Sequence, residues 1–263
     1  ERWRTWPPGI STWGGSLSDS RGGAAARAGA AATGFDPVVF DLDGTVVDTV
    51  ELIVESFRHA TRAVLGRTLP DDVILAGVGR PLMVQMRGLS ASHAQELFDT
   101  YREYNHRRHD ELVKGYDGMA GLLEGLRAAG KRLGIVTSKS ADTTRMAFRA
   151  VDLEEHFDVV VTAGDTDEHK PSPTPLRLCL ERLGAVPEGS LYVGDSPVDV
   201  EAGRAAGMAT AAVAWGVFGR EALLAAGPDF WVEEPGELLD LCLRGDGRRA
   251  TGASGDDRSG SGP

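Results

Sequence analysis

Cysteine is scarce in this 263-residue chain: only Cys179 and Cys242 occur. Two thiols cannot build a disulfide framework, and both sit in apolar helical patterns, so they are expected as buried core in a reducing compartment. Long apolar runs are missing too. No stretch approaches the ~18 unbroken apolar residues of a membrane span. Positive charge is short where it would matter, since residues 35–244 carry 21 basic against 34 acidic side chains. Such a body repels nucleic acid and anionic membranes, and no local basic patch offsets it, so neither is expected as a partner. What is present, 41% apolar and 25% charged residues, is the composition of an ordinary globular protein of one large or two small domains. No internal repeat is evident.

The two ends differ from the middle. Residues 1–34 hold seven Gly, seven Ala, four Ser and two Pro without apolar periodicity. They cannot bury enough surface to offset chain entropy and are expected to be disordered. The stretch Trp3-Arg4-Thr5-Trp6-Pro7-Pro8 leads into no apolar segment, so no secretory signal is read there. The Gly/Ser-rich residues 245–263 are expected as a second loose tail. The sequence thus predicts a cytoplasmic enzyme-sized body, with nothing that demands more than a monomer.

Within the body, residues 37–42, 133–137, 158–162, 191–194 and 210–214 are apolar on consecutive positions, as strands covered on both faces of a parallel sheet are. Helical patterns at 119–129, 141–150, 173–183 and 199–206 alternate with them, several ending at Gly130, Gly184 or Gly207. This predicts a Rossmann-like α/β core of parallel strands. The first two strands are separated by ~90 residues, too many for a loop. Helical spacing of Val50, Ile53, Val54, Phe57 and Val64, and of Leu97, Tyr101 and Tyr104, fills the gap. The expected division is a core of 35–51 and 116–244 with an all-helical insert at 52–115.

Ligands of such sheets sit beyond the carboxyl ends of the strands. Those ends deliver Asp41-Leu42-Asp43-Gly44-Thr45, Thr137-Ser138-Lys139, Lys170 and Gly194-Asp195-Ser196-Pro197-Val198-Asp199. Four carboxylates, Asp41, Asp43, Asp195 and Asp199, are costly to cluster without a cation, and Mg²⁺ is the hard ion that fits a few carboxylates, waters and a phosphate oxygen. Thr137 can then donate to a bound dianion and Lys170 can supply a compact positive charge. Backbone N–H groups near Asp43, Gly44 and Ser138 can complete a phosphate cradle. Asp41 is placed to attack phosphorus, and Asp43, two residues on, to serve as general acid and then base. In the insert, Arg80, Asn105 and His109 are candidate substrate contacts, although polar residues on a helix more often form a solvated face. Gly77-X-Gly79 is too short and follows no strand, so it is not read as a dinucleotide fingerprint. Trp215, Phe218 and Trp231 are expected in the core.

Taken in this order, Asp41-X-Asp43-Gly44-Thr45, Thr137, Lys170 and Gly194-Asp195 with Asp199 resemble the haloacid dehalogenase superfamily of phosphohydrolases. The resemblance covers essentially all of 36–244. It implies Asp41 as nucleophile, Asp43 as acid/base, Thr137 and Lys170 as phosphate ligands, and Asp195 as metal ligand assisted by Asp199. Mg²⁺ would be bound by the Asp41 carboxylate and the Asp43 backbone carbonyl. The helical insert looks like the C1-type cap of that superfamily. The segments 51–59, 101–112 and 228–230 are similar to the bacterial inorganic pyrophosphatase relatives of phosphoglycolate phosphatase. Tyr116-Asp117-Gly118 departs from the Pro-Gly common at the cap hinge, and Arg80 has no equivalent in the pyrophosphatases. Pyrophosphate is therefore the first expectation for substrate and phosphoglycolate or another small organic monophosphate the second. A phosphomutase, a non-catalytic protein on the same fold and a phosphorylation-controlled receiver module are the remaining alternatives. The receiver has no cap and no need of Asp43.

Overall fold

The structure, a computed structural model, describes residues 34–245 and 249–250. The expected tails fall outside the described residues except at positions 34, 245, 249 and 250. Along the chain, strand β1 (Val38–Phe40) and the short β2 (Val47–Asp48) are followed by helices α1 (Val50–Leu65), α2 (Asp71–Leu75), α3 (Leu82–Leu89) and α4 (Ala94–Leu112), then by β3 (Lys114–Gly115). Strands and helices alternate from there: α5 (Met119–Ala128), β4 (Leu133–Val136), α6 (Ala141–Val151), β5 (Val159–Val161), α7 (Thr174–Arg182), β6 (Leu191–Gly194), α8 (Pro197–Ala206), β7 (Ala209–Val213), α9 (Arg220–Ala225), β8 (Phe230–Val232) and α10 (Pro235–Arg244).

Six strands form one parallel sheet in the order β5-β4-β1-β6-β7-β8. Helices cover both faces, which is why the strands are apolar at every position rather than at alternate ones. Val38 and Phe40 point into one layer with Leu123, Leu126, Phe148 and Leu241. Val39, between them, points into the other with Leu176, Leu180 and Ala202. That is the two-residue alternation of a strand. Cys242 belongs to the first layer and Cys179 to the second. Both are buried free thiols, and burial pushes each thiol up to about 12.

The sequence reading did not anticipate β8 or the hairpin of β2 and β3, where Val47 lies opposite Gly115 and Asp48 opposite Lys114. Helices α1–α4 run between these two hairpin strands and bury a cluster of their own around Ile53, Phe57, Met86, Leu97 and Tyr101. Phe57 and Tyr101 meet edge to face at 4.9 Å, locking α1 to α4. In the segment read as the second tail, Ala250 donates to the Asp229 carbonyl (3.0 Å) and Arg249 bridges to Phe230 at the sheet edge. No helix among the described residues is long and apolar enough to cross a membrane.

Candidate active site

Strand β1 has β4 on one side and β6 on the other, so the chain reverses direction of winding there and a crevice opens at the carboxyl ends of these three strands. Asp41 follows β1 directly, its N–H bonded to the Val193 carbonyl (2.8 Å). Its Oδ1 is 2.9 Å from Lys170 Nζ, and the same ammonium is 2.7 Å from Asp199 Oδ1. Lys170 also donates toward the Tyr192 hydroxyl (3.2 Å) and the Val136 carbonyl (3.3 Å). All of these side chains are buried. A buried ammonium needs such compensation. Burial alone would lower the Lys170 pKa, but the charges of Asp199 and Asp41 outweigh it and the net direction is upward.

Asp199 is the third residue of α8, whose start is a capping box: Ser196 gives its N–H (3.1 Å) and its hydroxyl to Asp199 Oδ2. With Oδ1 taken by Lys170 and the Tyr192 hydroxyl (3.1 Å), both Asp199 oxygens have partners. Asp195 is held by the Thr45 hydroxyl on Oδ1 (3.1 Å) and the Val217 N–H on Oδ2 (2.8 Å). Close backbone approach makes room for it, because a Cβ at Gly44 or at Gly216 would collide with the Asp195 side chain.

Asp41, Asp195 and Asp199 bring carboxylate oxygens within 4.8 Å of one another. One ammonium cannot neutralise three buried carboxylates. Burial, which outweighs the nearby Lys170, pushes Asp41 up to about 7, and burial also carries Asp195 well above the carboxylate range. Three hard oxygen donors with unsatisfied negative charge fit a small divalent cation.

Above Asp41 lies a cavity of about 270 Å³ between the strand ends and the helices α1, α3 and α4. Asp41, Asp43, Thr137 and Ser138 line its floor, and Arg80 and Asn105 its wall. Asn105 is fixed by a bond to the Ser56 hydroxyl (3.2 Å). The Thr137 hydroxyl accepts from the Lys139 N–H (3.2 Å), which leaves its own proton to donate. Asp43 Oδ1 accepts from Thr49 and is paired with Lys139. Ile53, Phe57 and Phe98 make the far wall apolar. A larger hollow of about 680 Å³ on the helical insert contains none of the predicted site residues, and Arg58 within it is spent on Glu55 and Asp71.

Two expectations need correction, those for Gly44 and His109. Gly44 does not offer its N–H to a ligand, because it donates to the Val47 carbonyl (2.9 Å) within the β1–β2 turn. Its part is steric: φ is +77° and a side chain would strike Asp195. The Ser138 hydroxyl is spent on the Gly79 carbonyl (2.7 Å), a latch between sheet and insert, while the backbone N–H groups of Asp43 and Ser138 have no acceptor among the described residues. His109 does not line the cavity. It lies one turn beyond Asn105, fully buried, with Nδ1 3.0 Å from Asp110 Oδ1 and no partner for Nε2 among the described residues. The sequence reading missed Lys139, Tyr192 and the 215–217 loop, whose Trp215 donates to the Thr45 carbonyl (2.9 Å). Only Lys139 carried a signal, its place two residues after Thr137.

The family model described as haloacid dehalogenase-like hydrolase matches residues 38–213. Pyrophosphatase PpaX of Bacillus velezensis is 40% identical over 204 residues, 78% of this chain and 94% of that protein. A haloacid dehalogenase-like family hydrolase from Streptococcus pneumoniae superposes with a TM-score of 0.70 at 26% identity, covering 78% of this chain and 97% of the other. A structure described as a predicted phosphatase from Clostridium acetobutylicum gives 0.71 at 25% identity, covering 78% and 97%. The chain belongs to the haloacid dehalogenase-like hydrolase family.

Proposed function

We propose that this hydrolase cleaves pyrophosphate with Mg²⁺ through a phosphorylated Asp41. The observation that carries the reading is the buried Asp41 carboxylate at the floor of a cavity under the helical insert, with Lys170 on one oxygen and Asp43 beside it. The 40% identity to a pyrophosphatase supports the choice of substrate. Asp41, Asp195 and the main chain of Asp43 would hold Mg²⁺, with Asp199 close by and chiefly holding Lys170. When bound, the ion would supply Lewis-acid charge for the phosphoryl oxygens and the entering carboxylate.

Lys170 occupies Asp41 Oδ1, leaving Oδ2 to attack phosphorus. As the Asp41–phosphorus bond forms, the bond from phosphorus to the bridging oxygen breaks, its electron pair stays on that oxygen, and Asp43 provides a proton as the first phosphate leaves. Asp43, now ionised, takes a proton from water. The water oxygen attacks the phosphorus of the aspartyl-phosphate, the bond to Asp41 breaks, and a second phosphate leaves with the carboxylate restored. Thr137 Oγ and the unpartnered N–H groups of Asp43 and Ser138 would hold the transferring group throughout. The expected setting is the cytoplasm, with which two unpaired buried thiols agree.

The apolar wall of Ile53, Phe57 and Phe98 favours a second reading, a small organic monophosphate. Phosphate release at fixed Mg²⁺ from pyrophosphate, phosphoglycolate and phenyl phosphate separates the two. Pyrophosphate should have the highest kcat/KM, and a higher value for either ester would replace it as substrate.

A further inference from the structure

We infer that Lys139 receives the leaving phosphate, and so selects substrates whose leaving group is an anion. The inference rests on the proposed role of Asp43 as the acid. Lys139 stands in the loop after β4, its backbone tied at both ends: the N–H to Thr137 Oγ1 (3.2 Å) and the carbonyl to the Ala163 N–H (2.8 Å). Its side chain is only 12% exposed and ends on Asp43 Oδ1, where Thr49 also donates. The two site lysines differ in freedom. Lys170 is closed in by Asp41, Asp199, Tyr192 and the Val136 carbonyl. Lys139 faces the cavity and has Asp43 alone as its carboxylate among the described residues.

An acid delivers its proton across a hydrogen bond, so the oxygen it serves sits about 3 Å from Asp43. The remaining oxygens of that leaving group then lie roughly one or two hydrogen bonds from the Lys139 ammonium, a compact charge on a flexible stem that can follow them. A departing phosphate meets a cation there, whereas a departing alcohol does not use one. Arg80 and Arg102 continue the positive wall. Neither has an ion-pair partner among the described residues, and Arg102 lies over the Phe98 ring at 5.6 Å.

The alternative is that Lys139 merely holds Asp43. Losing it would then damage catalysis through the acid, and would harm an ester, which needs leaving-group protonation, at least as much as pyrophosphate. The test uses the full chain at fixed free Mg²⁺, with Lys139→Met and Lys139→Arg. For Lys139→Met the ratio of kcat/KM on pyrophosphate to that on phenyl phosphate should fall about tenfold or more, and Lys139→Arg should regain part of it. Inhibition by methylenediphosphonate should weaken about tenfold, and inhibition by methylphosphonate less than about threefold. An unchanged or raised ratio, or equal weakening of the two inhibitors, overturns the inference. A wild-type enzyme that prefers phenyl phosphate would instead refute the pyrophosphate reading, and the inhibitor pair would still decide on Lys139.

Discussion

Without a divalent cation, the carboxylates beneath the cavity should make the protein less stable as pH rises. Asp41 moves from 3.8 to about 7 on folding, chiefly through burial, so between those values the folded chain holds a proton that the unfolded chain has lost. Stability falls with pH wherever the folded state binds more protons. The penalty is absent below about pH 4 and complete above about pH 7. At about 1.4 kcal/mol per pH unit, the whole displacement is on the order of 4 kcal/mol, of which about 3 kcal/mol falls between pH 5 and pH 8. For a body of this size that corresponds to roughly 6–12 °C in Tm. Asp195 shifts in the same direction and adds to it. The assay is thermal unfolding in EDTA at pH 5 and pH 8, with Asp41→Asn as reference, because the amide does not titrate. Wild type should lose those degrees relative to the variant, and Mg²⁺ at pH 8 should restore them to wild type alone. Parallel melting of the two proteins across this range, or no Mg²⁺ effect, would refute the reasoning.

Gly216→Ala should push Asp195 from its place and raise the Mg²⁺ needed for half-activity about tenfold or more, read from a metal titration of phosphate release. Lys170→Met should leave Asp41 and Asp199 uncompensated in the interior, abolish turnover, and lower stability by about 3–5 kcal/mol in denaturant unfolding. Ser138→Ala removes the latch to Gly79 and should cost about 1 kcal/mol in KM, a roughly fivefold rise, with kcat little changed in steady-state kinetics.

The sheet was legible because burial on both faces writes itself into consecutive apolar positions, as in 133–137 and 191–194. Two-residue strands carry no period, so the β2–β3 hairpin was not. Phe230–Val232 is no shorter than β1 or β5, but no helical pattern was read on either side of it to mark an alternation. At the site, strand ends announced Asp41, Asp43, Thr137, Lys170 and Asp195, since position after a buried strand is a local property. Hydrogen-bond partners are not local. Lys139 reaches Asp43 across 96 residues and Tyr192 is tied to Val136 across 56; the place of Lys139 two residues after Thr137 marks it as near the site, but nothing nearby in the chain foretells either partner. Gly44 was placed correctly but assigned the wrong task, because spacing cannot tell that the Val47 carbonyl would take its N–H. His109 repeats the helical face of Asn105 one turn on, and periodicity fixes a face but not how far the cavity extends along it.

The central claim is that Asp41 carries the phosphoryl group. Enzyme mixed with pyrophosphate and Mg²⁺ can be quenched in acid during turnover and treated with borohydride, which reduces an aspartyl-phosphate to homoserine. Peptide mass spectrometry should then find homoserine at position 41 in wild type, and no such change in Asp41→Asn or without substrate. Sustained phosphate release with position 41 unmodified at every quench time would contradict it.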